Sequence, residues 1–387
     1  MKRVFLIVLD SAGAGALPDW ADYDEAPGHT LENVAKAAGG LVLPNCGKLG
    51  LGNILSLIGV PPAKQPLAAY GKAPLTTKGK DTTAGHWEIM GIVLKEPFPV
   101  FPQGFPADLI DSLTASFGTG ILCNQPYSGT QVIEDYGEEH LATAKPIVYT
   151  SADSVLQIAC HDQIYTTEAL YDLCEKARAL CVGKYAVGRV IARPFTGEPH
   201  AFLRTKYRKD FSLRPPVPNY LTALRDRHIF TCGVGKIGDI FNMEGIQQTY
   251  PVKGNELCLK EIVTLLREGG AGFYFINLVD FDMLYGHRND PLGYAKALRH
   301  FDFSLNRILP LIGSDDLLII TADHGNDPTT MSNDHNREYV PVLMYTPGLP
   351  GKDLGILATM SDIGATAYYA LTGENAAAIN GESVLTL

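Results

Sequence analysis

Short apolar runs that stop on a carboxylate or a histidine recur along this chain. Val4 to Leu9 is continuously apolar and rich in branched side chains. That is the pattern of a central parallel strand buried on both faces, and it stops at Asp10. Phe273 to Leu278 reads as a second buried strand, leading into Val279-Asp280-Phe281-Asp282. Leu317 to Thr321 is a third, followed by Asp323, His324 and, past a polar loop, His335. Val340 to Tyr345 reads as another. Helical periodicity predicts helices over Thr30 to Ala38, Tyr294 to Leu311 and Asp362 to Leu371, the first with Thr30 at its N-cap and Gly39-Gly40 as its stop. Residues 41 to 80 read as loop-rich. Strand–helix alternation of this kind predicts a parallel or mostly parallel sheet with helices on both faces.

The texture changes at Glu96-Pro97-Phe98-Pro99 and again at Arg214-Pro215-Pro216-Val217-Pro218. Between these marks the pattern predicts strands at Ile147 to Thr150, Val155 to Cys160 and Tyr185 to Ala192, and a helix at Thr167 to Leu180. Proline-rich punctuation on both sides suggests one domain inserted into another. The expected parts are residues 1–95, an inserted cap over 96–217, and 218–387, the first and last together forming the core. The fold class expected is therefore α/β, with a smaller α/β cap.

Composition narrows the picture. A chain of 387 residues is long for one hydrophobic core, so two domains are the natural expectation. Its formal charge of −10 argues against nucleic acid, whose phosphates demand a basic surface. Seven scattered cysteines with no CxxC pair suit a reducing compartment. The N-terminal apolar run is six residues long and is interrupted by Asp10, on the short side for a secretion signal and far too short for a membrane span. A cytoplasmic protein without membrane contact is expected, and a monomer is compatible with all of this. Within the acidic chain, Lys184 to Arg214 is locally basic: eight lysines and arginines stand against Glu198 and Asp210. Such a region suits a phosphate or another anion, although a merely solvated basic face has the same composition.

The strand-end residues carry the candidate chemistry. Asp10, Asp282, His287, Asp323, His324 and His335 make three carboxylates and three imidazoles, a set that Zn²⁺ or Mn²⁺ accepts and large enough for two ions clamping a phosphoryl group. Any one of them alone reads as a strand-end cap or an exposed histidine. Spacing leaves Asp280 and Asp282 as alternatives. Gly79-Lys80-Asp81-Thr82-Thr83 adds hydroxyls that a divalent ion could activate as nucleophiles. Thr82 and Thr83 also read as caps of the helix running into His86-Trp87-Glu88, and a helix N-terminus stabilises a phosphate placed there.

With these residues in view, the chain resembles the alkaline phosphatase superfamily and, within it, closely the phosphopentomutase family. The resemblance runs from Val4–Ser11 to Asp362–Thr366. It includes Gly79–Thr83 with Gly85-His86-Trp87-Glu88, and the cap segments Thr150–Gln157 and Val187–Phe195. Ala84, Asn336, Ala12 and Ala14 depart from the family pattern without removing a proposed ligand. The resemblance implies an alkaline-phosphatase-like core and interconversion of ribose 1-phosphate and ribose 5-phosphate, and of the deoxyribose pair. It implies two Mn²⁺ ions (other divalent ions also fit), with Thr82 carrying the phosphoryl group. One ion would be held by Asp282, His287 and His335, the other by Asp10, Asp323 and His324; the family pattern favours Asp282 over Asp280. Ser151, Asp153, Arg189, Arg204 and Lys236 would hold the sugar phosphate. A sugar bisphosphate such as glucose 1,6-bisphosphate would prime the enzyme, which would turn over through ribose 1,5-bisphosphate. The two proline-rich boundaries suggest hinges near residues 96 and 217, and a mobile cap closing there would keep water from the phosphothreonine. The alternatives are a cofactor-independent phosphoglycerate mutase, a phosphatase with the same metal core, and a metal-stabilised anion-binding protein without turnover.

Overall fold

A computed structural model describes residues 1–23, 26–151 and 153–385. Its strands, in chain order, are β1 (Arg3–Leu9), β2 (Ala69–Ala73), β3 (Leu122–Pro126), β4 (Ile147–Thr150), β5 (Val155–His161), β6 (Arg189–Thr196) and β7 (Leu203–Arg204). Then come β8 (Lys209–Ser212), β9 (Thr231–Val234), β10 (Gln248–Tyr250), β11 (Gly272–Leu278), β12 (Asp316–Thr321), β13 (Val340–Tyr345) and β14 (Asp353–Ile356). The chain forms two compact units, one of residues 1–96 and 215–387, the other of residues 97–214.

The first unit is built on an eight-stranded sheet of order β10-β9-β11-β1-β12-β13-β2-β14. Strand β1 pairs in parallel with β11 on one side and β12 on the other, so Leu9 stands beside Leu278 and Val8 beside Thr321. Val4 to Val8 are fully buried, which requires covering layers on both sheet faces and explains the unbroken apolar run. Helix Ser361–Thr372 packs on β1, and helix Asn255–Glu268 on β11. Each apolar side chain sealed in this way contributes about 1.5–3 kcal/mol. One strand breaks the parallel pattern: β13 runs antiparallel to both β12 and β2. The 18 residues between β12 and β13, 322–339, form no helix, and a parallel return is usually made by a helical crossover.

The second unit carries its own sheet, β3-β4-β5-β6-β7 with β8 also on β6, and mixes parallel and antiparallel pairs. One of its cores packs Leu109 and Leu113 of helix Ala107–Phe117 against Leu170, Cys174 and Ala177 of helix Thr167–Leu180 and Val190 of β6. On the other side, Tyr149, Phe195 and Phe202 gather with Val132 and Ile133.

Several local expectations need correction. Thr30 is not the cap of its helix. His29 holds that position, and Thr30 opens the helix Thr30–Ala37 while its hydroxyl donates to Glu338 at 2.5 Å. Residues 41–80 contain helices Pro44–Leu49 and Leu51–Ile54 and strand β2; these elements are too short for their periodicity to show. The strand expected at Tyr185 to Ala192 begins four residues later, at Arg189, after a turn of 3-10 helix over Gly183–Tyr185. Ala152, within the segment Thr150–Gln157, lies outside the described residues. No helix among the described residues is long and apolar enough to cross a membrane.

Candidate metal centre

Three neighbouring parallel strands, β11, β1 and β12, deliver the candidate ligands at one edge of the sheet, where open α/β folds place their sites. Asp10 follows β1 directly. Asp323 and His324 follow β12. Asp282 lies in a π-helical turn, Phe281–Tyr285, beyond β11, and His287 lies in the next turn, Gly286–Arg288. Asp10, Asp323 and His324 are fully buried. Each of these three offers one ligand atom to a cluster no wider than 4.8 Å, and Asp282, His324 and His335 form a second cluster of that width. His287 belongs to the same gathering: its Nε2 is 3.1 Å from Asp282 Oδ2 and 3.1 Å from His335 Nε2.

The imidazoles are oriented from behind. His287 Nδ1 lies 2.6 Å from the Asn333 carbonyl and His324 Nδ1 3.1 Å from the Gly325 carbonyl. A carbonyl can only accept, so each Nδ1 donates outward, and each Nε2 is the nitrogen turned toward the carboxylates. His324 Nε2 then faces Asp10 Oδ1 and Asp323 Oδ2, each at 3.4 Å. Both of those carboxylate oxygens are buried without a hydrogen-bond donor. Carboxylate oxygens left without donors in a dry site call for positive charge beside them. The titration shifts report the same demand. Burial and the neighbouring Asp323 carboxylate push Asp10 above the usual carboxylate range. His324 is driven well above the ordinary imidazole value by Asp323 and Asp10, against the opposing effect of burial. Burial would raise Asp282 as well, but His335 and His287 hold it well below its ordinary value, and its hydrogen bond raises His287 to about 9. Carboxylate oxygens and imidazole nitrogens in this arrangement fit divalent metal ions.

Thr82 begins the helix Thr82–Ile89, and its Oγ1 lies 3.3 Å from His324 Nε2. The cap of that helix is Asp81, whose Oδ1 accepts from the Thr83 and Ala84 N–H groups. Neither threonine is therefore the cap, and those two N–H groups are already taken. Behind Thr82, His86 Nδ1 lies 2.9 Å from the Thr82 carbonyl and 3.0 Å from Asp323 Oδ2. The far end of the helix is anchored by Glu88, which accepts from the Thr76 and Thr77 N–H groups and the Thr359 hydroxyl. Arg337, almost fully buried, donates to the carbonyls of Leu75, Thr77 and Gly79 in the segment leading to Thr82. The motif Gly85-His86-Trp87-Glu88 marks His86 and Glu88 without saying what they support, and no spacing rule links Arg337 to the ligands.

Of the other candidates, Lys236 follows β9 in the first unit and is exposed. Ser151, Asp153, Arg189 and Arg204 lie in the second unit. Arg189 opens β6 and sits 3.5 Å from Asp210. Arg204 pairs with Phe195 at the other end of that strand, about 20 Å away by strand rise, and donates to the Gly129 carbonyl. The local positive charge is partly offset: Arg208 shares Asp210 with Arg189, and Lys184 pairs with Asp108. Asp280, the alternative to Asp282, points elsewhere and accepts from the Asn255 N–H.

Residues 2–374 match the metalloenzyme superfamily. The chain is 50% identical over 387 residues to a phosphopentomutase of Dictyoglomus thermophilum, covering 100% of this chain and 98% of the relative. It is 52% identical over 367 residues to a phosphopentomutase of Carboxydothermus hydrogenoformans, covering 95% of each. Among solved structures, the PH0037 protein of Pyrococcus horikoshii aligns over 97% of this chain and 98% of its own, with a TM-score of 0.50 and 15% identity.

Proposed function

The chain belongs to the metalloenzyme superfamily and, within it, to the phosphopentomutase family, and on that footing we propose a phosphothreonine mechanism centred on Thr82. Family membership makes the protein a mutase, an isomerase with the alkaline-phosphatase-like α/β core. The finer reading is that it interconverts ribose 1-phosphate and ribose 5-phosphate, and the 2-deoxyribose pair. The observation that carries it is the position of Thr82, whose hydroxyl lies 3.3 Å from His324 Nε2 beside the gathered ligand residues.

In this reading Asp282, His287 and His335 hold one Mn²⁺, and Asp10, Asp323 and His324 the other. The ions, when bound, would offset the charge on the phosphoryl oxygens and favour the alkoxide of Thr82. In the forward half-reaction the Thr82 Oγ–P bond breaks as a P–O bond forms to the free hydroxyl of the sugar phosphate, giving a 1,5-bisphosphate. In the return half-reaction the other sugar O–P bond breaks and Thr82 takes that phosphoryl group back, so no phosphate is lost. Asp81 serves this cycle by capping the helix itself, which leaves the Thr82 side chain free of a structural bond to its own helix. His86 holds the Thr82 carbonyl, so the hydroxyl keeps its direction. Ser151, Asp153, Arg189, Arg204 and Lys236 are proposed to hold the sugar phosphate, Arg189 and Arg204 not at one phosphate group since they stand at opposite ends of β6, and glucose 1,6-bisphosphate or a similar bisphosphate to prime Thr82.

A coupled assay of ribose 1-phosphate conversion, with Mn²⁺ and with or without glucose 1,6-bisphosphate, tests this while free phosphate is followed in parallel. Isomer without stoichiometric phosphate release is the expected result. Phosphate release alone would replace the mutase with a phosphatase of the same centre. Thr82→Ala should abolish turnover and retain metal binding; wild-type activity in that variant would remove Thr82 as the carrier. Alanine at Arg189 or Arg204 should raise KM more than it lowers kcat.

A further inference from the structure

Two buried asparagines that the mechanism does not use stand behind two of the three proposed metal-binding aspartates. Asn277 is an interior residue of β11, fully buried, and its Nδ2 lies 2.8 Å from Asp10 Oδ2. Asn326, also fully buried, follows β12, and its Nδ2 lies 2.8 Å from Asp282 Oδ1. In both, the amide oxygen is buried with no hydrogen-bond partner among the described residues. A buried amide that uses only its N–H side is a costly choice, since an unpaired polar atom in a dry site forfeits its hydration without a replacement. Burial for packing alone would be served better by leucine.

The orientation of each amide follows from its neighbours. Turned over, either side chain would set its oxygen against a carboxylate oxygen, lone pair to lone pair. Asn277 is fixed a second time. The Thr82 carbonyl accepts from His86 Nδ1, so His86 Nε2 is the acceptor of that ring, 3.3 Å from Asn277 Nδ2. One amide nitrogen thus reaches both Asp10 and the histidine that holds Thr82. Asn326 is packed in place by Gly286, where a Cβ would come within 2.8 Å of the amide carbon and nitrogen.

We propose that Asn277 and Asn326 are positioning residues, each tying down one oxygen of a metal-binding aspartate so that the other oxygen is presented to the ion. Asp10 Oδ2 is tied by Asn277, and Oδ1, which accepts nothing, faces His324 Nε2. Asp282 Oδ1 is tied by Asn326 and also lies 3.4 Å from His335 Nε2, while Oδ2 carries no such tie and faces His287 Nε2 at 3.1 Å. A neutral amide suits this task better than lysine or arginine would, because it orients the carboxylate without cancelling its charge. Partners of this kind behind metal ligands typically change metal affinity about 10- to 100-fold. The proposal rests on the two-metal reading above.

Calorimetric titration of Mn²⁺ into the metal-stripped full chain separates the two claims. Wild type is expected to bind two ions. Asn277→Leu should weaken one by about ten-fold or more and Asn326→Leu the other. In Asp10→Ala, which keeps only the second cluster, Asn277→Leu should have no further effect on the remaining ion while Asn326→Leu retains its full effect. In Asp282→Ala the pattern should reverse. A general packing role would not produce this exchange. Two ions bound with wild-type affinity by both leucine variants, or both ions weakened equally by each, would overturn the positioning roles. A wild type that binds no second ion would instead remove the two-metal reading. Where a leucine variant does not fold, alanine at the same position, with its metal-free melting temperature as control, gives the same comparison.

Discussion

Asp81, not Thr82, takes the capping role at the start of the helix Thr82–Ile89. Asp81 accepts from the N–H groups of Thr83 and Ala84, the work that Ser, Thr, Asp or Asn does at a helix start. The helix that carries Thr82 also comes very close to the loop that carries Asp323. A Cβ at Gly85 would sit 2.2 Å from the Asp323 carbonyl oxygen, and backbone at that distance cannot give way as a flexible side chain would. Gly85→Ala should therefore push the Thr82 helix off the ligand loop and destabilise the fold by about 1–3 kcal/mol. Thermal melting should show a lower Tm, and Mn²⁺ titration a weakened centre; a variant with wild-type stability and metal affinity would show that the two segments can separate freely. The glycine in Gly85-His86-Trp87-Glu88 is visible in the sequence as part of a motif. The reason for it, a carbonyl from residue 323, is not.

At the scale of elements, buried strands are legible where their runs are unbroken. Val4 to Leu9, Leu317 to Thr321 and Val340 to Tyr345 all form strands. Elements of four to six residues between residues 44 and 73 escape, because one helical turn has no period to detect. In the second unit, helix Gln131–Thr143 is joined to β5 by a buried histidine pair. His140 Nδ1 lies 2.7 Å from the Lys145 carbonyl, and its Nε2 accepts from the His161 N–H at 2.9 Å. The bond accepted at Nε2 needs a neutral ring, and burial, with His161 nearby, lowers the His140 pKa below 6.5 although the Lys145 carbonyl opposes this. An unfolded chain binds a proton here before the folded one does. The stability from this group is thus complete above pH 6.5, and it declines as pH falls toward the folded value, then levels. His140→Phe should lose the bonds at every pH and flatten that part of the slope. Melting curves from pH 8 to pH 5, roughly spanning the ordinary histidine range, would show it; parallel slopes in wild type and variant would rule the group out.

At the scale of the molecule, residues 97–214 have what an independent domain needs: a continuous stretch of chain, a sheet of their own and two apolar clusters. Expressed alone, this segment should fold cooperatively, with dispersed amide resonances and a single thermal transition. A disordered spectrum would mean that its stability depends on the rest of the chain. The first unit cannot be tested so simply, because its sheet joins strands from before residue 97 and after residue 214.

By itself the sequence determined the kind of protein: the buried runs, the strand-to-carboxylate pattern and the family motifs are all local, and local pattern is what a linear chain displays. The acidic composition argued against a nucleic-acid partner on the same basis. The tertiary structure alone decided that β1 lies between β11 and β12, which brings residues 10, 282 and 323 to one sheet edge. It alone decided that β13 runs antiparallel, and that Asn277 and Asn326 stand behind Asp10 and Asp282. Strand order is set by which apolar faces can be sealed from water together. The orientation of each inward side chain is set by donors and carbonyls far along the chain, and a buried polar group must satisfy those neighbours whatever its sequence position.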